Sequence, residues 1–226
     1  MSPSSYRILP RGKGALARKF LPVLPVMVAL LGVAEQPLAQ EQSVSIIIVR
    51  HAEADTSQPT VPLTAKGRER AALLVHTFRD VKFTHIFGTH TIRTRQTVEG
   101  VAAAQSIPIV QLPAPGSMLD GKPVTDQTSR RAPIDPVAAA LMQLPPGSVA
   151  LAALNSENIF AIINKLGVPV AQSCAPASMC VPCTDNTCFP RDEFDRIWLL
   201  VRQSGRTEPL TFVQFRYGAG WQSGDR

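Results

Sequence analysis

Apolar positions along this chain recur with two different periods, and each period marks a different kind of element. Residues 44–49, VSIIIV, are apolar except for Ser45 and rich in β-branched side chains, the pattern of a strand covered on both faces. The run stops at the charged pair Arg50-His51, so this strand is expected to open onto a polar rim. Further strand-like runs occupy residues 85–89, 149–154, 197–202 and 210–217. Between them, residues 66–78, 91–104, 136–143 and 156–166 follow helical spacing; in the first of these, Ala71, Leu74, Val75 and Phe78 fall on one face. Strands alternating with helices specify an α/β domain, expected as a three-layer sandwich with a mostly parallel sheet and helices on both faces. The last two strand-like runs, joined by QSGRTEP, read as a closing hairpin, so at least one strand should be antiparallel. Residues 108–136, dense in proline and turn formers, read as a long irregular excursion over the sheet.

The first forty residues break this pattern. Arg7, Arg11, Lys13, Arg18 and Lys19 precede the apolar FLPVLPVMVALLGVA, and the polar EQPLAQEQ follows. Basic, then apolar, then small residues is the order of a secretory signal, so residues 1–39 are expected to be a leader cleaved after Ala34 or Ala39. The apolar run is shorter than the roughly 20 residues of a spanning helix, and Pro22 and Pro25 interrupt it. The mature chain, residues 40–226, is therefore expected in the periplasm or outside the cell, with no stable membrane insertion. Removing the leader also changes the charge. The full chain has 23 basic and 17 acidic residues, net +6; the mature chain keeps 18 and 16, net +2, which is no footprint for nucleic acid. All four cysteines, Cys174, Cys180, Cys183 and Cys188, lie in one insertion at residues 174–188. The CxxC pair admits a zinc site, but an oxidising compartment favours two disulfides, of any of three connectivities.

Chemistry concentrates at strand ends, where open α/β sheets bind ligands. Arg50 and His51 end the first strand; HIFGTHTIRTRQTVE carries Arg93 and Arg95 from the second strand into a helix. Two arginines from separate strand ends can clamp a phosphoryl group through forked, charge-assisted hydrogen bonds. A neutral histidine between them is a competent nucleophile near pH 7. His76 and His85 read as capping or packing residues, and His90 as a rim residue or a spare imidazole near Arg93.

Several ordered motifs together resemble the histidine phosphatase superfamily, with its phosphoglycerate-mutase-like fold. These are IIIVRHAEAD; then Leu63-Thr64, Gly67 and Arg70-Ala71; then the segment from Thr89 through Arg93, Gln96 and Thr97 to Val98; and the closing FDRIWLLVR and FVQFRYG. The resemblance spans most of residues 44–217, apart from the excursion and the cysteine insertion. It implies that His51 accepts the phosphoryl group and that Arg50 and Arg93 bind its oxygens, with no metal or cofactor and a small phosphorylated substrate or ligand as partner. It also implies a second histidine at a later strand end, and there the chain departs: SVALAALNSENIFAIINKLGVP puts Asn155 in the histidine's place and Leu154 in that of a glycine. Asparagine can donate a hydrogen bond but adds no charge. Losing a transition-state donor costs about 10²–10³ in rate, and Asn155 should retain part of it. Two readings follow: an exported phosphomonoesterase with weakened turnover, in which Asn155 partly replaces the histidine, or a pseudophosphatase that only binds a phosphorylated ligand. A mutase role fits an exported domain poorly. For the general acid, Glu53, Asp55, Asp120 and Asp126 are candidates, and no motif selects among them.

Overall fold

The computed structural model describes residues 43–113, 118–119, 122–123, 136–174, 181–183, 186–190, 192–203, 206 and 209–218; for 118–119, 122–123, 181–183 and 186–188 it describes the backbone alone. The chain divides between Gln36 and Pro37, and everything described here belongs to the second unit. The leader therefore lies outside the described residues, as do Asp120 and Asp126.

Six strands form one sheet: β1 (Ser43–Arg50), β2 (His85–Thr89), β3 (Ile109–Leu112), β6 (Val149–Leu154), β9 (Arg196–Gln203) and β10 (Thr211–Arg216). Their order is β10-β9-β1-β6-β2-β3. The pairs β1–β6, β6–β2 and β2–β3 are parallel, and β9 runs antiparallel to both β1 and β10. Two short antiparallel hairpins lie outside the sheet, β4 (Met118–Leu119) with β5 (Lys122–Pro123) and β7 (Val181–Cys183) with β8 (Asn186–Cys188). The sandwich, its mostly parallel sheet and the closing hairpin are as the apolar pattern specifies.

The strands at the centre are buried on both faces, which is why their sequences are continuous apolar runs. Along β1, Val44, Ile46 and Ile48 enter one core while Ile47 and Val49 enter the other; along β6, Ala150, Ala152 and Leu154 alternate in the same way with Leu151 and Ala153. The second core is closed by α1 (Ala65–Thr77) and α2 (Ile92–Gln105) through Leu74, Val98, Val101 and Ala102. The first is closed by α3 (Pro136–Met142) and α4 (Ile159–Lys165) through Val137, Leu141, Phe160 and Ile163. A single turn, α5 (Val170–Ser173), follows and ends at the buried Cys174. Small alanines on β6 leave room for Phe160, Phe189 and Trp198, whose rings meet edge to face or tilted at centroid distances of 5.2–6.2 Å.

Two expectations need correction. The excursion at 108–136 is not irregular throughout, because it opens with β3, which extends the sheet beyond β2. β3 is a four-residue edge strand with only Ile109 and Leu112 half-buried, too short to carry a period against the flanking prolines. The helix expected over 156–166 starts at Ile159 instead. Residues Ser156–Asn158 form a turn, where the Asn158 side chain accepts the Asn155 N–H at 3.1 Å.

Candidate active site

Parallel strands end together, so register decides which side chains meet. Arg50 stands opposite Leu154, and the ladder runs one step further, with the His51 N–H donating to the Leu154 carbonyl at 2.9 Å. His51 and Asn155 are thus neighbours at the carboxyl ends of β1 and β6. Thr89 closes β2 on the other side of β6, and Arg93 follows as the second residue of α2.

His51 is 7 % exposed, and its Nδ1 lies 2.8 Å from the Ala52 carbonyl. A carbonyl only accepts, so Nδ1 carries the proton and the lone pair sits on Nε2. Burial, and then the charges of Arg93 and Arg50, depress the imidazole pKa to about 3 against the opposing effect of the Ala52 bond. His51 is neutral at pH 7.

Arg50 is held from behind. Its Nη1 donates to the carbonyls of Pro190 at 2.5 Å and Glu193 at 2.7 Å, and its guanidinium lies 4.0 Å from the centroid of Phe194. Burial lowers its pKa to about 10, opposed by Glu157, Asp192 and Glu53, so it stays a cation. The clamping segment is itself anchored: the Glu193 carboxylate pairs with Arg196 at 3.3 Å and Arg216 at 3.0 Å, and the Tyr217 hydroxyl donates to the Phe194 carbonyl. Arg93 is half-buried, its pKa lowered by burial and partly restored by Glu157.

Asn155 is 1 % exposed, and its carboxamide is engaged. Nδ2 donates to Thr89 Oγ1 at 3.4 Å, and Oδ1 accepts from Thr91 Oγ1 at 3.5 Å, inside a hydroxyl cluster of Thr89, Thr91 and Thr94. Leu154 does not crowd this end of the sheet: its side chain belongs to the core beneath α3 and α4. His90 turns to the sheet's edge, its N–H donating to the Leu112 carbonyl and its ring 3.4 Å from the same oxygen.

Outside these residues the motifs act as scaffolding. Glu53 forms a forked ion pair with Arg70 at 2.7 and 2.8 Å, which more than offsets burial and leaves its carboxyl below the usual range. Thr64 caps α1 by accepting the Gly67 N–H, and Gly67 is needed because a Cβ there would stand 2.1 Å from the Glu53 carbonyl oxygen. The Ala52 N–H donates to Thr97 and the Leu63 N–H to Gln96, so α2 fixes the loop after His51. Asp55 is exposed and bonded to Ser57 and Gln58. Neither it nor Glu53 is placed as a general acid.

Sequence reasoning missed Phe194 and Glu157. Phe194 lies in a segment whose only signal is apolar character before the last strands. Glu157, two residues past Asn155 at a strand end, was readable from NSEN as a charge at the rim. Among the described residues no group of three or more His, Cys, Asp or Glu could hold a metal ion, and no helix is long and apolar enough to cross a membrane. Cys174 is disulfide-bonded; the side chains of Cys180, Cys183 and Cys188 lie outside the described residues.

No curated protein sequence matches the chain. Among solved structures, the chain is similar to the protein histidine phosphatase SixA complexed with tungstate (19% identity, 76% of this chain and 96% of that one, TM-score 0.48). It is also similar to a mycobacterial glucosyl-3-phosphoglycerate phosphatase (13%, 78% and 99%, TM-score 0.48) and to phosphoglycerate mutase from Plasmodium falciparum (16%, 78% and 91%, TM-score 0.46). Residues 46–114 match the family model of the histidine phosphatase superfamily, branch 1. That match begins inside β1 and takes in Arg50, His51, the Glu53–Arg70 pair, Gly67 and Arg93, so the segment that builds this end of the sheet is the one that is similar to the histidine phosphatase superfamily.

Proposed function

We propose that this protein is an exported phosphomonoesterase that works through a phosphohistidine at His51. The observation that carries the reading is the state of that imidazole: neutral, with Nδ1–H fixed on the Ala52 carbonyl and Nε2 left as the nucleophile beside two guanidinium groups. The Nε2 lone pair attacks phosphorus, the ester P–O bond breaks, and the leaving oxygen takes up a proton from solvent. Arg50 and Arg93 carry the charge on the phosphoryl oxygens through the transition state. Water then attacks phosphorus, the N–P bond breaks, phosphate leaves and His51 is again neutral.

Export rests on the basic-then-apolar leader, and the disulfide at Cys174 supports an oxidising compartment. The remaining cysteines are proposed to pair as well.

The second reading, a pseudophosphatase that binds without turnover, is favoured by one observation. Asn155 spends its carboxamide on Thr89 and Thr91, so donating to a phosphoryl group means breaking one of those bonds.

Both readings are tested by mixing the mature protein with a 32P-labelled aryl phosphate and quenching in alkali, which preserves phosphohistidine. Labelled protein with wild-type His51 and none with His51→Ala supports the esterase. Phosphate binding without label selects the binder, and no binding at all refutes both.

A further inference from the structure

Glu157 is a charge at the mouth of this site that the scheme above does not use. It occupies the turn that leads β6 into α4, two residues past Asn155, and it is exposed where Arg50, His51 and Asn155 are buried. The turn is tied to the elements on both sides. The Ser156 carbonyl accepts the Phe189 N–H at 3.1 Å, and the next residue, Pro190, holds Arg50 through its own carbonyl. Asn155 accepts from Thr91, two residues before Arg93. The Asn158 side chain fixes the turn from within, and the Ser156 hydroxyl donates to Glu157 Oε2 at 3.0 Å. Glu157 thus lies on a turn bonded to both arms, is exposed where Arg50 is buried and Arg93 half-buried, and its charge acts on both guanidinium groups.

An in-line displacement fixes what passes Glu157. The nucleophile and the leaving oxygen lie on opposite sides of phosphorus. With the buried His51 on the inner side, the alcohol portion of the ester must point outward, past the turn. A carboxylate there favours a cationic alcohol portion and repels an anionic one, by an amount that falls as salt rises.

We propose that Glu157 sets the charge selectivity of the pocket, admitting phosphomonoesters whose alcohol portion is neutral or cationic and rejecting those with a further anionic group near phosphorus. The proposal rests on the reading of Arg50 and Arg93 as the phosphoryl-binding pair.

The test is equilibrium binding by calorimetry at low salt, on the mature chain with His51→Ala so that no ligand is consumed. The probes are inorganic phosphate and two esters of similar size, O-phosphoethanolamine with a cationic tail and phosphoglycolate with an anionic one. We expect phosphoethanolamine to bind about tenfold more tightly than phosphoglycolate. Adding Glu157→Gln should bring that ratio close to one, and Glu157→Lys should invert it. If Glu157→Gln tightens all three ligands equally, Glu157 merely competes for the arginines and the proposal fails. If the ratio does not move, it fails as well, while the phosphate site stands. If inorganic phosphate and both esters fail to bind with Glu157 intact and with Gln in its place, the phosphate reading falls and takes the proposal with it.

Discussion

At the scale of single residues, the proposed chemistry depends on keeping one imidazole uncharged. An exposed histidine takes up a proton near pH 6.5. His51 cannot do so until about pH 3, because its surroundings are apolar on one side and cationic on the other. Between these two values the unfolded chain binds a proton at His51 that the folded chain does not, so acid favours unfolding there. The contribution is absent above pH 6.5 and grows as pH falls toward 3, by about 1.4 kcal/mol for each pH unit. Glu53, with its lowered carboxyl pKa, adds a loss of the same sign at more acid pH. Urea unfolding at pH 7 and pH 4.5 separates the two. Wild type should lose roughly 2–3 kcal/mol more than His51→Ala across that interval. Equal losses would mean that His51 is protonated in the folded protein, and the proposed neutral nucleophile would go with it.

At the scale of elements, the helices matter for what their first turns hold. Thr64, Gly67 and Arg70 on α1 all act on Glu53, two residues beyond His51: a hydroxyl and an N–H near its carbonyl, a missing Cβ and a forked ion pair. Gly67→Ala should therefore cost about 1–3 kcal/mol or more, since the Cβ meets a backbone oxygen that no rotamer change can move. Chemical denaturation measures this directly, and a loss below 0.5 kcal/mol would show that α1 can slide without cost. Much of this was legible in the sequence because it is local. Continuous apolar runs announced β1 and β6, helical spacing announced α1, and residues at strand ends announced Arg50, His51 and Arg93, while Asn155 was singled out only through the family resemblance. What was not legible depends on tertiary contact. Nothing in IVQL distinguishes β3 from loop until it pairs with β2. Nothing in PRDEF says that two backbone carbonyls and a phenyl ring will hold Arg50 140 or more residues away. The hydroxyl cluster that engages Asn155 likewise joins residues 64 positions apart.

At the scale of the whole molecule, the two sides of the site are supported by different cores. Arg93 stands on α2 and the core that α1 and α2 close, fixed by the segment that matches the family model. Arg50 is held by residues 190–194, which follow the cysteine insertion and lie next to Phe189 in the other core. Cys174 belongs to that same core, which also holds Phe160, Phe189 and Trp198, and it is disulfide-bonded. Reduction should therefore loosen one side only. A disulfide typically contributes about 2–4 kcal/mol by limiting the unfolded chain. For a domain of this size that is a fall in Tm of roughly 5–15 °C. The effect on the site should be uneven: Arg50 loses its backing while the surroundings of Arg93 do not change. Phosphate affinity should fall in reduced protein, and Arg50→Ala should remove most of its dependence on redox state, whereas Arg93→Ala should leave that dependence in place. Calorimetry on oxidised and reduced samples of the three proteins provides the measurement. If reduction lowers Tm but leaves affinity untouched, the insertion stabilises the fold without positioning Arg50. If Arg93→Ala removes the dependence as fully as Arg50→Ala does, the two sides of the site share one support.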